Sequence, residues 1–233
     1  EQGWDVSQDS NYKDIIYINS HRGSLEKSDA VIKGYITFMD KASMLVARLV
    51  NPQPGERVLD CCAAPGGKSM YMAALMDNTG SLMSCDIHEH KIALMESNAQ
   101  RLGISIVQTK VQDATELPSA WKSYFDRVLV DVPCSGLGIL QKKLDMRWRK
   151  DESTLSELPP LQLAILERAA MTVKEKGYLV YSTCTLNYKE NEDVVEAFLQ
   201  KHKEFSIVPV GADFPLKSNN GMITTYPPTD DMD

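Results

Sequence analysis

The chain has 233 residues, 43% apolar and 24% charged. Those are ordinary proportions for a globular domain, and they exclude a disordered tail, a collagen-like repeat and a coiled-coil rod. With 25 basic and 32 acidic residues the net charge is −7, so binding to nucleic acid through a wholly basic face is excluded and any such contact must come from a local patch.

Residues 1–36 hold one candidate strand, Asp14 to Ile18, then a loop from Ser20 to Glu26, with no self-contained core. They read as the end of an upstream module or linker, with a catalytic domain over 37–233. From Asp40 to Val50 the spacing of Met44, Leu45, Ala47 and Leu49 predicts a helix, ended by Asn51-Pro52-Gln53-Pro54-Gly55. The longest apolar stretch, Met44 to Val50, is broken by Arg48 and is far short of the ~20 residues a membrane span needs. A regular alternation follows. Short apolar runs predict strands at Arg57 to Cys61, Ser81 to Cys85, Ile106 to Val111, Arg127 to Val130 and Tyr178 to Ser182. Helical spacing fills the intervals at Lys68 to Met76, at 89–101 up to Gly103, at Leu161 to Lys174 before Gly177, and at Glu192 to His202. Strands alternating with helices demand an α/β doubly wound, mostly parallel sheet with helices on both faces. Functional residues of such sheets gather outside the carboxyl ends of the strands.

The loop Cys62-Ala63-Ala64-Pro65-Gly66-Gly67-Lys68-Ser69 lies between the first of these strands and its helix. Small residues let the backbone approach a ligand, and the helix N-terminus offers free N–H groups. Two chemistries compete for it. A phosphate-binding loop needs G-x-x-x-x-G-K-[ST], and the segment matches except that Cys62 stands where the first Gly belongs. S-adenosyl-L-methionine instead calls for an acid at the end of the next strand, to accept from ribose hydroxyls. Asp86 is placed for that role, and Asp113 after the third strand could accept from the adenine amino group. A triphosphate would be repelled by Asp86, Asp113 and Asp131 around one pocket, so the methyl donor is favoured.

Five cysteines, with no C-x-x-C pair, point to free thiols in a reducing, cytoplasmic compartment. Cys61 and Cys85 read as small buried hydrophobes, and only the backbone of Cys62 need matter. Cys134 and Cys184 differ: they follow the fourth and fifth strands, and if those strands are neighbours both thiols emerge at the functional edge. No His or Cys falls at zinc-ligand spacing near either, so no metal is expected. Two thiols beside a methyl donor suit methylation of cytosine carbon 5. A thiolate added to carbon 6 makes carbon 5 enamine-like, and a second thiol could assist release. Asp131 is placed to hydrogen-bond the amino group or N3 of the base as charge builds on the ring.

Val58-Leu59-Asp60-Cys61-Cys62-Ala63-Ala64-Pro65-Gly66-Gly67-Lys68, Asp131-Val132-Pro133-Cys134-Ser135-Gly136 and Ser182-Thr183-Cys184-Thr185, followed by Glu190-Asn191-Glu192, together resemble the RNA cytosine-5 methyltransferase family over about residues 33–226. The resemblance is nearest to the bacterial enzymes that act on 16S ribosomal RNA. It implies a Rossmann-like, class I S-adenosylmethionine-dependent methyltransferase domain. In that reading Cys184 is the nucleophile and Cys134 the thiol that releases product, while Cys62 through Lys68, with Asp86, Asp113 and Asp131, contact the methyl donor. Relatives carry an upstream helical RNA-binding domain, and a last sheet strand is expected beyond Asp231-Met232-Asp233. The chain therefore reads as a fragment. Departures from the family pattern, at Met39 to Ser43, Cys61 and Val132, do not touch the chemistry.

Between Gln141 and Lys150, the residues Lys142, Lys143, Arg147, Arg149 and Lys150 stand against Asp145 alone, around Trp148. Interleaved basic and aromatic residues suit RNA phosphate contact and base stacking. The expected partner is ribosomal RNA, with transfer RNA as the alternative substrate; no membrane partner is expected, and the chain reads as a monomer. A P-loop-like NTPase and a non-catalytic RNA-binding assembly module are the readings from other classes.

Overall fold

The computed structural model describes residues 3–139, 152–211, 214–216 and 218–226. In chain order the strands are β1 (Asp5–Gln8), β2 (Ile16–Ser20), β3 (Arg57–Asp60), β4 (Ser81–Asp86), β5 (Val107–Val111), β6 (Phe125–Asp131) and β7 (Val173–Ser182). The helices are α1 (Asp29–Ile32), α2 (Lys41–Val50), α3 (Gly67–Leu75), α4 (Glu89–Arg101), α5 (Glu152–Ala170) and α6 (Glu192–Lys201).

Strands β3 to β7 form one sheet in the order β5-β4-β3-β6-β7, every neighbouring pair parallel. The pleat sends alternate side chains to opposite faces. Val58, Leu82 and Leu129 meet Ala47 and Val50 of α2, Met72 and Ala73 of α3, and Met76 just after it. Leu59, Val128 and Val130 meet Ile165, Leu166 and Ala169 of α5 and Val194 and Phe198 of α6. The central strands are therefore apolar on both faces, as a helix-covered parallel sheet requires. Each fully buried large side chain contributes about 1.5–3 kcal/mol of transfer free energy. The chain runs outward from β3 to β5, then returns to β6 on the other side of β3. The crevice at that reversal lies beyond the carboxyl ends of β3 and β6, where ligands of open α/β sheets sit.

Two boundaries differ from the sequence expectation. Helix α5 begins well before Leu161 and carries Pro159 and Pro160 inside it, and it ends at Ala170 rather than near Lys174. Strand β7 then starts at Val173, and the polar run Lys174-Glu175-Lys176 hides it from a hydrophobicity reading. Gly177 does not cap the helix. It sits where β7 slips register against β6 between Phe125 and Arg127, and a Cβ there would lie 2.9 Å from the Asp126 carbonyl oxygen.

The N-terminal residues form an antiparallel hairpin, β1 with β2, where one strand was expected. It is tied down by polar contacts. Asp9 is almost buried, and the Tyr17 hydroxyl, donating to its Oδ2 at 2.6 Å, holds its carboxyl well below the usual range, with Lys41 Nζ 3.0 Å away. Asp14 pairs with Arg48 and accepts from the Tyr71 hydroxyl at 2.7 Å.

Candidate active site

The loop after β3 is built for close approach. The Ala63 amide donates to the Cys85 carbonyl at 2.7 Å, and the Gly66 amide to the Ala63 carbonyl at 2.7 Å. Gly66 caps α3 with φ of 101°, and no side chain caps the helix's first turn. Beneath it, Ser84 Oγ donates to Ser69 Oγ and Ser69 Oγ to Asp60 Oδ2, at 2.8 and 2.7 Å, pinning α3 to the sheet. Burial pushes the Asp60 carboxyl up to about 7. Cys61 and Cys85 are buried, as expected, and burial raises the half-buried Cys62 thiol too. A Cβ on Gly66 would lie 2.8 Å from Met95 Cγ, in a backbone region that L residues avoid. Gly66→Ala is therefore expected to cost about 1–3 kcal/mol of stability, measured by urea unfolding.

Two acids line the same edge. Asp86 ends β4; its Oδ1 accepts from the His88 amide at 3.0 Å, with Lys91 Nζ 3.7 Å away. Asp113 Oδ1 accepts from the Thr115 amide and hydroxyl at 2.8 and 2.7 Å. In each, one oxygen fixes the carboxylate and Oδ2 carries no hydrogen bond among the described residues. Uncapped helix amides, a glycine cradle and two acids at successive strand ends fit the amino-acid, ribose and adenine parts of S-adenosylmethionine.

Asp131, at the end of β6, joins three elements. Its Oδ2 accepts from Lys68 Nζ of α3 at 2.7 Å, and its Oδ1 from Ser182 Oγ of β7 at 2.6 Å. Burial would lower the Lys68 pKa, but the Asp131 carboxylate more than reverses this, so the ammonium stays charged.

Register pairs Asp131 with Ser182, so the loops after β6 and β7 leave the sheet side by side. Cys134 Sγ and Cys184 Sγ lie 3.2 Å apart, and the Cys184 amide donates to Cys134 Sγ at 3.3 Å. The two sulfurs differ in acidity. The hydrogen bond from Cys134, aided by the Lys68 charge, outweighs burial and Asp131 and lowers Cys184 to about 7. The same hydrogen bond, with burial and the Cys184 charge, pushes Cys134 far up. The contact makes Cys184 the more acidic of the two sulfurs, and Cys184 is also the more exposed. A cavity of about 220 Å³ opens beside Cys184, with Gly138, Ser182, Thr183, Thr185 and Asn191 in its wall.

Sequence reading missed Gln162 and the role of Glu190. Both are fully buried, joined by a hydrogen bond from Gln162 Nε2 to Glu190 Oε2 at 2.9 Å. One signal was visible: Gln162 is a lone polar residue within the apolar run Leu161 to Leu166 of a helix. Lys142, Lys143, Arg147, Trp148 and Arg149 lie outside the described residues. Among the described residues no helix is long and apolar enough to cross a membrane, and no group of three or more His, Cys, Asp or Glu is placed to hold a metal ion.

The Bacillus subtilis (strain 168) protein named probable ribosomal RNA small subunit methyltransferase B is 43% identical over 185 residues, covering 79% of this chain and 41% of that one. The Homo sapiens 28S rRNA (cytosine(4447)-C(5))-methyltransferase is 37% identical over 187 residues, covering 78% of this chain and 23% of that one. The crystal structure of NSun6 from Pyrococcus horikoshii with SFG superposes with a TM-score of 0.79 at 30% identity, covering 90% of this chain and 53% of that chain. The chain thus spans less than half the length of these curated relatives. Its fold is that of Rossmann-like, class I S-adenosylmethionine-dependent methyltransferases. Residues 47–233 match the model of the family described as 16S rRNA methyltransferase RsmB/F, and the chain belongs to that family.

Proposed function

We propose that this chain transfers a methyl group from S-adenosyl-L-methionine to carbon 5 of a cytosine in small-subunit ribosomal RNA, through a covalent bond between Cys184 and the base. The observation that carries the reading is the thiol pair, 3.2 Å apart at the carboxyl edge of the sheet and beside Asp131. The names of the relatives support ribosomal RNA as the substrate and, for the human protein, carbon 5 of cytosine as the target. The neighbour solved with SFG, an S-adenosylmethionine analogue, supports the methyl donor.

When bound, S-adenosylmethionine supplies an electrophilic methyl group on a sulfonium. The chain's own residues do the rest. Asp131 and Lys68 meet the edge of the cytosine, which must be single-stranded or turned out of a helix to reach the thiols. The Cys184 thiolate adds to carbon 6, and the ring's electrons become available at carbon 5. After methylation a base takes the carbon-5 proton, the bond from carbon 6 to Cys184 breaks, and the thiolate returns. Cys134 is the group within reach of both events. Both sulfurs must stay reduced, which fits a cytoplasmic setting.

A nucleoside triphosphate fits the site less well. In this structure Lys68 is committed to Asp131, and with Asp86 and Asp113 at the same edge the pocket presents carboxylates to a ligand that is itself anionic. S-adenosylhomocysteine is therefore expected to raise the melting temperature of the chain, and ATP with Mg²⁺ to leave it unchanged. With labelled S-adenosylmethionine and unmodified ribosomal RNA, nuclease digestion is expected to release 5-methylcytidine. Label entering transfer RNA instead would move the substrate assignment. Stabilisation by ATP alone, with no methyl transfer, would overturn the reading.

A further inference from the structure

Glu190 is an acid with no solvent exposure, bonded to the backbone next to Cys134. Three donors converge on its carboxylate: the Ser135 amide on Oε2 at 2.8 Å, Gln162 Nε2 on Oε2 at 2.9 Å and Asn187 Nδ2 on Oε1 at 2.9 Å. Gln162 Nε2 also donates to the Pro133 carbonyl at 3.0 Å. The residues on either side of Cys134 are thus both held by the Glu190–Gln162 pair. On the other side, the Tyr181 hydroxyl donates to the Glu190 carbonyl at 2.6 Å, and Asn191 Nδ2 to the Thr185 carbonyl at 2.9 Å. Ser135 Oγ and Thr185 Oγ1, 2.7 Å apart, close the bridge between the loops. Burial alone would raise the Glu190 pKa; the bonds from Ser135, Asn187 and Gln162 more than reverse it, so the acid is held as the carboxylate.

We infer that Glu190 is a positioning residue whose buried carboxylate clamps the loop carrying Cys134 against the loop carrying Cys184, and so sets the sulfur–sulfur contact that the chemistry uses. This rests on the reading of the pair as the reacting thiols. Three donors need two acceptor oxygens. A glutamine at this position would offer one oxygen and an NH₂ group, which faces a donor whichever way it turns. Glu190→Gln therefore keeps the volume and breaks the clamp. The groups facing Cys184 are Cys134 and Asp131 from β6 and its loop and Lys68 from α3; Tyr181 of β7 faces Cys134. Glu190 itself reaches Cys184 only through Cys134.

The test uses the chain alone, without RNA or methyl donor. Alkylation by iodoacetamide is followed across pH at the tryptic peptide that ends at Lys189 and carries Cys184, and separately at the peptide that carries Cys134. In the unaltered chain the Cys184 rate is expected to reach half its maximum near pH 7. In Glu190→Gln the midpoint should move toward the free-thiol value of ~8.5, with roughly a tenfold slower rate at pH 7. Cys134→Ala should give the same displacement, and adding Glu190→Gln to Cys134→Ala should move it no further. Gln162→Leu, which removes one strut and leaves the Ser135 bond, should give a smaller displacement and serves where Glu190→Gln does not fold. A folded Glu190→Gln with an unchanged profile, or a further shift in the double variant, overturns the inference. The readout is independent of methyl transfer, so a failure here is distinct from a failure of the proposed reaction.

Discussion

Cys134→Ala, mixed with S-adenosylmethionine and unmodified ribosomal RNA, is expected to accumulate a covalent protein–RNA adduct that survives a denaturing gel and disappears when Cys184 is also replaced by Ala. Turnover should fall by about 10²–10⁴, the contribution expected of a positioned acid or base. The asymmetry of the pair is the reason. Three things keep Cys134 protonated: its hydrogen bond to Cys184, its burial and the Cys184 charge. Two of them vanish once the Cys184 sulfur becomes a thioether on carbon 6 of the base. Cys134 then becomes more acidic at the stage when a base is needed, next to the bond that must break. Removing it leaves addition possible but strips the step that ends the intermediate. It also removes the hydrogen bond that lowers Cys184, so adduct should form more slowly at pH 6 than at pH 8. An adduct that persisted without Cys184 would exchange the roles assigned to the two sulfurs.

Much of this site was legible in the sequence because it is built from strand ends. Apolar runs such as Arg57 to Cys61 and Arg127 to Val130 announce buried strands by composition, and the residue after such a run in a parallel sheet must lie at the functional edge. The sequence thereby places the Cys62 to Lys68 loop, Asp86, Asp113, Asp131 and both thiols at the carboxyl ends of successive strands, where the structure has them. What it could not supply was pairing across the sheet. The Lys68–Asp131 contact joins residues 63 apart, and Ser182 reaches Asp131 across 51. Nothing local in either segment signals those bonds. Glu190 was visible only as part of a motif resemblance, since a buried acid is read from sequence as a solvated one until its donors are seen. The errors at α5 and β7 have a local cause. Prolines usually mark a boundary, but Pro159 and Pro160 stand inside α5, and the charged start of β7 lies where a register slip lets Lys174 turn to Asp126.

Asp131→Asn separates two roles that a loss of activity alone would confuse. The substitution keeps the shape of the side chain, so the bond from Ser182 can survive, but it removes the charge that faces both Lys68 and Cys184. Asp131 raises the Cys184 pKa and Lys68 lowers it. Without the carboxylate, Lys68 acts on Cys184 unopposed, and alkylation of Cys184 should become faster below pH 7. If Asp131 served the reaction by activating the thiol, methylation would rise with it. The expected result is the opposite: methyl transfer falls by about 10²-fold, the loss expected when a group that orients the reacting base is lost. A more reactive nucleophile in a slower enzyme would mean that Asp131 acts on the base, accepting at its polar edge while Cys184 adds to carbon 6. Methylation within tenfold of the unaltered chain would sink that role and leave Asp131 as the counter-ion that holds Lys68 in place. The pH at which the two measurements are made decides their weight. The Cys184 thiol already sits below the free-thiol range, so most of the gain in thiolate from Asp131→Asn lies at lower pH, and the loss in transfer should be compared at higher pH, where Cys184 is ionised in both forms.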